Sequence, residues 1–107
     1  DLIKVFKFLP NKSIKEIAKN ALQAIQKNDM VLEINMAGYR KPIAESYPSL
    51  ELLEESYKLN IPITFSSDAH KPEQVGLFSD KILQLARQVG YTECAVFKNR
   101  QREMIPF

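Results

Sequence analysis

At 107 residues, with 45% hydrophobic and 26% charged side chains, the chain is long enough for one globular domain with a modest core. Fifteen basic and 13 acidic side chains leave a formal net charge of +2, too small to argue for a nucleic-acid partner. No apolar stretch approaches the roughly 18 residues of a membrane span, so we expect no membrane partner, and the single cysteine, Cys94, excludes an internal disulfide and favours a reducing compartment such as the cytoplasm.

The first third of the chain predicts two strands with a helix between them. Residues 2–6 have the composition of a strand and are followed by the breaker Pro10. Ser13 then begins a helix, with Glu16 three residues later completing a capping box. An apolar stripe at helical spacing supports this helix: Ile14, Ile17, Ala18, Ala21, Leu22 and Ile25. Residues 30–35 follow as the second strand.

The middle of the chain predicts a second helix and a third strand. Ser49 is a plausible N-cap, and Leu50, Leu53 and Tyr57 would face a core from the helix that follows. Residues 61–66 are rich in β-branched and aromatic side chains, which is typical of a buried strand.

The last third predicts a third helix and two short strands. Pro72 suits the first position of a single helical turn. A helix then starts at Ser79 or Asp80 and ends at Gly90, the expected left-handed terminator. Residues 94–97 and 104–105 read as strands, joined by a charged segment interpreted as a solvated hairpin tip.

The order strand, helix, strand, helix, strand, helix, strand predicts an α/β fold with a mainly parallel sheet. Three or four strands are few for a complete doubly wound sheet or a closed barrel, and the chain opens on a strand pattern without methionine. We therefore expect residues 1–107 to be a single partial domain of something longer. Such a piece should expose an apolar flank or an open sheet edge, through which it could self-associate.

The candidate chemistry lies directly after the third predicted strand. Asp68 and His70, the only histidine of the chain, are two residues apart, so in extended backbone both side chains would point to the same side. A carboxylate and an imidazole at a strand end suit a divalent metal such as zinc, manganese or iron. The alternative is that Asp68 caps the next turn while His70 lies half-exposed beside Lys71.

Two sequence motifs carry a resemblance to a known family. Residues 32–41 (Leu-Glu-Ile-Asn-Met-Ala-Gly-Tyr-Arg-Lys) and 66–70 (Ser-Ser-Asp-Ala-His) together resemble the carboxyl-terminal part of the PHP superfamily (polymerase and histidinol phosphatase), in particular the PHP-type histidinol-phosphatases. Residues 72–76 and 97–100 add to the likeness, which spans nearly the whole chain.

The resemblance implies a fold and a metal site. The family fold is a distorted barrel of seven βα units, of which this chain would supply the carboxyl-terminal units. A cluster of two or three divalent metals lies at the carboxyl ends of the strands. Asp68 and His70 match the Asp-x-His ligand motif of the family. The other ligands are mostly histidines, which this chain lacks, so we expect the 107 residues alone to be inactive.

The resemblance also implies a reaction, the hydrolysis of L-histidinol phosphate to L-histidinol and phosphate in histidine biosynthesis. Arg40 and Lys41 would bind the phosphate of this small-molecule ester, or else be solvated loop charges. Glu33 and Asn35 share one face of their strand and would orient ligands or backbone, or else make a structural polar contact. Two alternatives stay open: a different phosphoester as substrate, and a PHP-like module that has lost catalysis and serves in assembly.

Overall fold

The computed structural model describes Asn11 and residues 13–107 of the chain. The predicted strand at residues 2–6 lies outside the described residues. The described part forms helices α1 (Ile14–Lys27), α2 (Leu50–Lys58) and α3 (Ser79–Val89), strands β1 (Leu32–Asn35), β2 (Ile63–Ser66), β3 (Glu93–Lys98) and β4 (Gln101–Pro106), and short 3₁₀ helices at Ala37–Arg40 and Pro72–Gln74. The three predicted helices and the turn at Pro72 are confirmed, and β1 begins two residues later than expected.

Helix α1 forms where the apolar stripe predicted it, but it buries less of that stripe than expected. Ser13 caps it by accepting a hydrogen bond from the Lys15 amide at 3.2 Å, one position earlier than the capping-box bond. Leu22 is buried, whereas Ile17 is 74% exposed. The reason is that α1 lies along one edge of α2, to which it is tied by the Lys15–Glu55 ion pair at 3.3 Å. Among the described residues nothing covers its other side.

Strands β1 and β2 pair in parallel and form a sheet with one apolar face and one polar face. In the register Leu32 lies opposite Ile63 and Ile34 opposite Phe65. Ile34 and Ile63 are fully buried in a core that α2 and α3 complete with Leu53, Ile82 and Ala86. Fully burying one such side chain contributes about 1.5–3 kcal/mol. This apolar face fixes how the two strands sit against the helices.

The opposite face of the same two strands is polar. Because side chains alternate along a strand, Glu33 and Asn35 of β1 share this face, where they lie beside Thr64 and Ser66 of β2. Helices therefore cover the sheet on one side only, within the part of the chain that the structure describes.

The last two strands form an antiparallel hairpin in a sheet of their own. Asn99 and Arg100 connect them with φ values of 51° and 63°, the left-handed pair of a type I′ two-residue hairpin turn. The expected hairpin tip is thus confirmed, and β4 is longer than predicted. The expectation of a mainly parallel sheet holds for β1 and β2 only, since a two-residue turn can join only antiparallel strands. Phe107 contacts Phe65 edge-on, with ring centroids 5.2 Å apart.

A buried tyrosine ties the end of α3 to the start of β2. Gly90 ends the helix with φ at 121°. The next residue, Tyr91, is buried and donates a hydrogen bond from its hydroxyl to the Ile61 carbonyl oxygen at 3.0 Å. Burial raises the pKa of Tyr91 well above its ordinary value of 10.0, with a smaller contribution from Tyr57. The hydroxyl is therefore a hydrogen-bond donor throughout the neutral range.

Several large apolar side chains are exposed in the described part of the chain: Ile17, Met30, Tyr57, Val75, Leu77, Phe97, Met104 and Ile105. Self-association through them stays a prediction. None of the helices described here has the length and apolar character needed to cross a membrane.

Candidate functional site at the carboxyl ends of β1 and β2

The backbone after β1 is held by hydrogen bonds to the last residues of β2 and of β1. The Met36 amide donates to the Ser66 carbonyl at 2.9 Å, so the parallel ladder continues one residue beyond the strand. Asn35 turns the chain into the 3₁₀ helix, because its side-chain oxygen accepts from the Ala37 amide at 2.8 Å. The side-chain nitrogen of Asn35 donates to Glu33 Oε1 at 3.0 Å. Glu33 thus contacts the Asn35 side chain, and Asn35 contacts backbone. No direct hydrogen bond joins either residue to Asp68 or His70 among the described residues, and their role in orienting ligands stays a prediction.

The rest of this loop folds back onto the end of β1. Asn35 and Tyr47 exchange two backbone hydrogen bonds, at 2.7 and 3.0 Å. Gly38 of the 3₁₀ helix faces the returning segment, and an added Cβ would overlap the Glu45 carbonyl oxygen. Only glycine fits such a close backbone approach. Arg40 therefore projects from a buried and well-fixed turn.

The loop after β2 has a different character. Asp68, Ala69 and His70 are all exposed. Asp68 has φ of 50°, in the left-handed region, so the assumption of extended backbone between Asp68 and His70 is wrong. Aspartate tolerates this conformation better than most side chains because it can bond locally. Here the Asp68 amide donates to Oγ of Ser66, the last residue of β2, at 3.1 Å.

Arg40 connects the two loops. Its Nη1 donates to the Ser67 carbonyl oxygen at 2.7 Å and its Nη2 to the Asp68 carbonyl oxygen at 2.8 Å. Arg40 is therefore partly buried and hydrogen-bonded, and is not a freely solvated loop charge. The neighbouring Lys41 is exposed and makes no ion pair or side-chain hydrogen bond among the described residues. Phosphate binding by either residue stays a prediction.

The same Asp68 carbonyl oxygen also lies 2.8 Å from Nδ1 of His70. Because a carbonyl oxygen can only accept, Nδ1 is the donor in this bond, and in the neutral ring Nε2 keeps its lone pair. The His70 amide donates to Oε1 of Gln74 at 2.9 Å. Sequence analysis overlooked Gln74. Gln74 could have been found from its position four residues after the histidine, in the turn that begins at Pro72.

The donors at this rim fit part of a divalent metal site. The Asp68 carboxylate makes no hydrogen bond within the described residues, and the turn that follows has Lys71 at its N-cap. The alternative that Asp68 caps this turn is therefore wrong. A carboxylate and an imidazole Nε2 are suitable ligands for zinc, manganese or iron. No group of three or more His, Cys, Asp or Glu side chains that could hold a metal is formed by the described residues. The two donors are thus an incomplete ligand set.

Aromatic contacts attach this rim to α3. The Tyr39 ring lies 5.4 Å from the ring of Phe78, and the Lys81 Nζ is 4.2 Å from the Tyr39 ring centroid. Burial raises the pKa of Tyr39, so its hydroxyl stays neutral. Lys81 adds a positive charge beside the turn that carries Arg40, a cation that sequence analysis did not single out.

A separate open cavity of about 690 Å³ lies elsewhere, at the amino end of β1. Its lining includes Met30, Glu33, Thr64 and Phe97, together with Arg102. Arg102 Nη2 donates to both carboxylate oxygens of Asp29 at 2.9 Å. This cavity contains Glu33 but neither Arg40 nor the Asp68–His70 loop, so the predicted site residues fall into two places.

Comparisons with known proteins find a matching family model and similar sequences. A family described as PHP-associated matches residues 53–79, which include the Asp68–His70 loop. A probable histidinol-phosphatase of Deinococcus radiodurans is 34% identical over 87 residues, covering 80% of this chain and 33% of the relative. A histidinol-phosphatase of Bacillus subtilis is 34% identical over 83 residues, covering 77% and 31% respectively. A probable histidinol-phosphatase of Schizosaccharomyces pombe is 33% identical over 84 residues, covering 72% and 28%.

The chain thus spans about a third of the length of the curated relatives it matches. The family match and these relatives support the PHP superfamily for this chain. Within that superfamily it is similar to histidinol-phosphatases.

Proposed function

We propose that this chain is the carboxyl-terminal part of a metal-dependent phosphatase that hydrolyses L-histidinol phosphate to L-histidinol and phosphate. The observation that carries the proposal is the meeting of Arg40 with the Asp68–His70 loop at one rim of the sheet. It brings a cation suited to phosphate next to two metal-ligand side chains. The names of the three relatives support the choice of substrate.

In this proposal Asp68 and His70 hold divalent metal together with ligands from the rest of the intact protein. Asp68 supplies a carboxylate oxygen and His70 supplies Nε2, whose lone pair is kept available by the bond from Nδ1 to the Asp68 carbonyl. The chemistry that zinc, manganese or iron supplies in such a site is charge neutralisation on the phosphate and activation of a water molecule.

Arg40 would bind the phosphate in the same site. Its two bonds to Ser67 and Asp68 use two of the five N–H donors of a guanidinium, which leaves three for substrate oxygens. Negative charge on the transferring group is stabilised by such fixed donors. Lys41, exposed next to it, would add to the positive potential that attracts a phosphate ester.

The test is phosphate release from L-histidinol phosphate by the intact protein, measured before and after removal of metal by a chelator. We expect activity to vanish with the metal and to return on adding back zinc, manganese or iron. Asp68→Asn and His70→Asn should each lower kcat/KM by about 100-fold or more and reduce metal content, because each removes a ligand. Asp68→Asn suits the left-handed backbone at this position, so the fold should survive.

Glu54→Gln is the matched control, since it neutralises an exposed carboxylate on α2, away from the rim. It should leave kcat/KM and metal content at the wild-type level. Wild-type kinetics in both Asp68→Asn and His70→Asn would contradict the metal assignment. An intact protein that binds metal but releases no phosphate would instead favour the non-catalytic assembly module.

A further inference from the structure

We infer that Arg40 is a positioning residue for the metal site. It would hold Asp68 and His70 in place for metal binding even in the absence of substrate. The inference deepens the proposed function and rests on it. Its basis is the pair of bonds from the guanidinium to the Ser67 and Asp68 carbonyl oxygens, at 2.7 and 2.8 Å, across 27 and 28 residues of sequence.

The first step concerns the backbone of Asp68. With φ at 50°, this residue is held in a left-handed conformation that is unfavourable for most side chains. Its exposed loop has little packing to maintain that conformation. The guanidinium fork fixes the directions of two successive carbonyl groups at once, which a single point donor cannot do. Arg40 thereby fixes the backbone position from which the Asp68 side chain extends.

The second step concerns His70. The Asp68 carbonyl oxygen accepts from both Arg40 Nη2 and His70 Nδ1, so the oxygen that Arg40 holds is also the one that selects the imidazole tautomer. A fixed acceptor at Nδ1 keeps the lone pair on Nε2 and sets the orientation of the ring. Both ligands therefore depend on one carbonyl group that Arg40 positions.

The third step concerns the base of this contact. Arg40 ends a 3₁₀ helix whose Ala37 and Gly38 are buried. The Ala37 amide of this helix donates to Asn35 Oδ1 at the end of β1, at 2.8 Å. The guanidinium thus anchors the exposed loop after β2 to the buried loop after β1. Removing a partner of this kind from a metal site typically weakens metal binding by 10–100-fold.

The experiment measures metal affinity of the intact, substrate-free protein by competition between the apoprotein and a chelator for zinc. We expect Arg40→Ala to weaken zinc binding by about tenfold and Arg40→Lys to show a smaller loss. Lys19→Ala, which removes an exposed cation of α1, should bind zinc as the wild type does.

A second measurement reads the tautomer directly. In the metal-free protein, at a pH where the ring is neutral, ¹⁵N NMR of the His70 side chain should show the proton on Nδ1. The resonance is assigned by its loss in His70→Asn. In Arg40→Ala the two tautomers should be mixed, an effect that general destabilisation would not produce.

The outcomes separate this inference from the proposed function. Wild-type zinc affinity and an unchanged tautomer in Arg40→Ala, with kcat/KM reduced, would overturn the inference and leave Arg40 as a substrate ligand only. Wild-type zinc affinity in Asp68→Asn and His70→Asn would overturn the proposed function itself. If Arg40→Ala does not fold, Arg40→Lys decides, and wild-type affinity in that variant overturns the inference.

Discussion

The loops after β1 and β2 end neighbouring strands, yet they are stabilised in opposite ways. The loop after β1 is buried at Ala37 and Gly38, and its backbone bonds to Tyr47 and Ser66. The loop after β2 is exposed from Asp68 onward and depends on side chains from other segments, chiefly Arg40 and Gln74. The comparison indicates a division of labour, in which a structurally fixed loop supports the exposed loop that carries the candidate ligands.

The largest effect expected from this comparison is at Gly38. Gly38→Ala should lower the free energy of unfolding of the intact protein by about 3 kcal/mol, since the new Cβ overlaps the Glu45 carbonyl oxygen and backbone must move. Chemical denaturation monitored by circular dichroism measures the loss. Zinc affinity should fall with it, because the turn that carries Arg40 is displaced.

Gly76→Ala is the matched control for this substitution. Gly76 has φ of 70° but nothing within 4 Å of an added Cβ, so only the backbone strain of about 1 kcal/mol remains. Equal losses of stability in the two variants would show that the loop after β1 is not held by close backbone packing.

The contrast between the loops also shows which structural features could be predicted from the sequence. Apolar periodicity predicted the three helices, and the run at residues 61–66 predicted β2, because burial of one face dictates those patterns. The sequence also placed Asp68 and His70 on a loop at a strand end. It could not supply the left-handed backbone of Asp68, since the local side-chain bond that favours it depends on Ser66.

Contacts between distant segments were the other limit. Nothing near Arg40 in the sequence indicates that its guanidinium reaches carbonyl groups 27 and 28 residues later. The exposure of Ile17 was equally hidden, because a helical stripe shows which side chains can be buried but not what covers them. The comparison with relatives then supported the family resemblance that local patterns had indicated.

A medium-sized effect on stability is expected at Tyr91, away from both loops. The pKa of Tyr91 is raised in the folded protein, so folding favours the neutral phenol. Its contribution to stability is fully present below the ordinary pKa of 10.0 and is lost as the pH rises above it. The intact protein should therefore unfold at lower denaturant concentration at about pH 11 than at about pH 8.

Tyr91→Phe separates this contribution from other alkaline effects. At neutral pH the variant should lose about 1 kcal/mol, because the buried Ile61 carbonyl loses its donor. Between neutral and alkaline pH its stability should fall less than that of the wild type, because the two proteins differ in no other ionisable group. Parallel pH profiles for the two proteins would contradict the role given to burial of the Tyr91 hydroxyl.

The smallest effect tests whether the exposed loop has a second support besides Arg40. Gln74→Ala removes the acceptor of the His70 amide, a bond of 2.9 Å at an exposed position. Water can replace an exposed acceptor, so the net contribution of such a bond is about 0.5 kcal/mol, or roughly a twofold weakening of zinc binding. Gln74→Glu keeps an acceptor oxygen at this position and should bind zinc at least as well as the wild type. The His70 tautomer should stay on Nδ1 in both variants, because the Asp68 carbonyl that selects it is held by Arg40 and not by Gln74. A tenfold loss in Gln74→Ala, equal to that of Arg40→Ala, would instead show that the turn at Pro72–Gln74 supports the loop as strongly as the turn after β1.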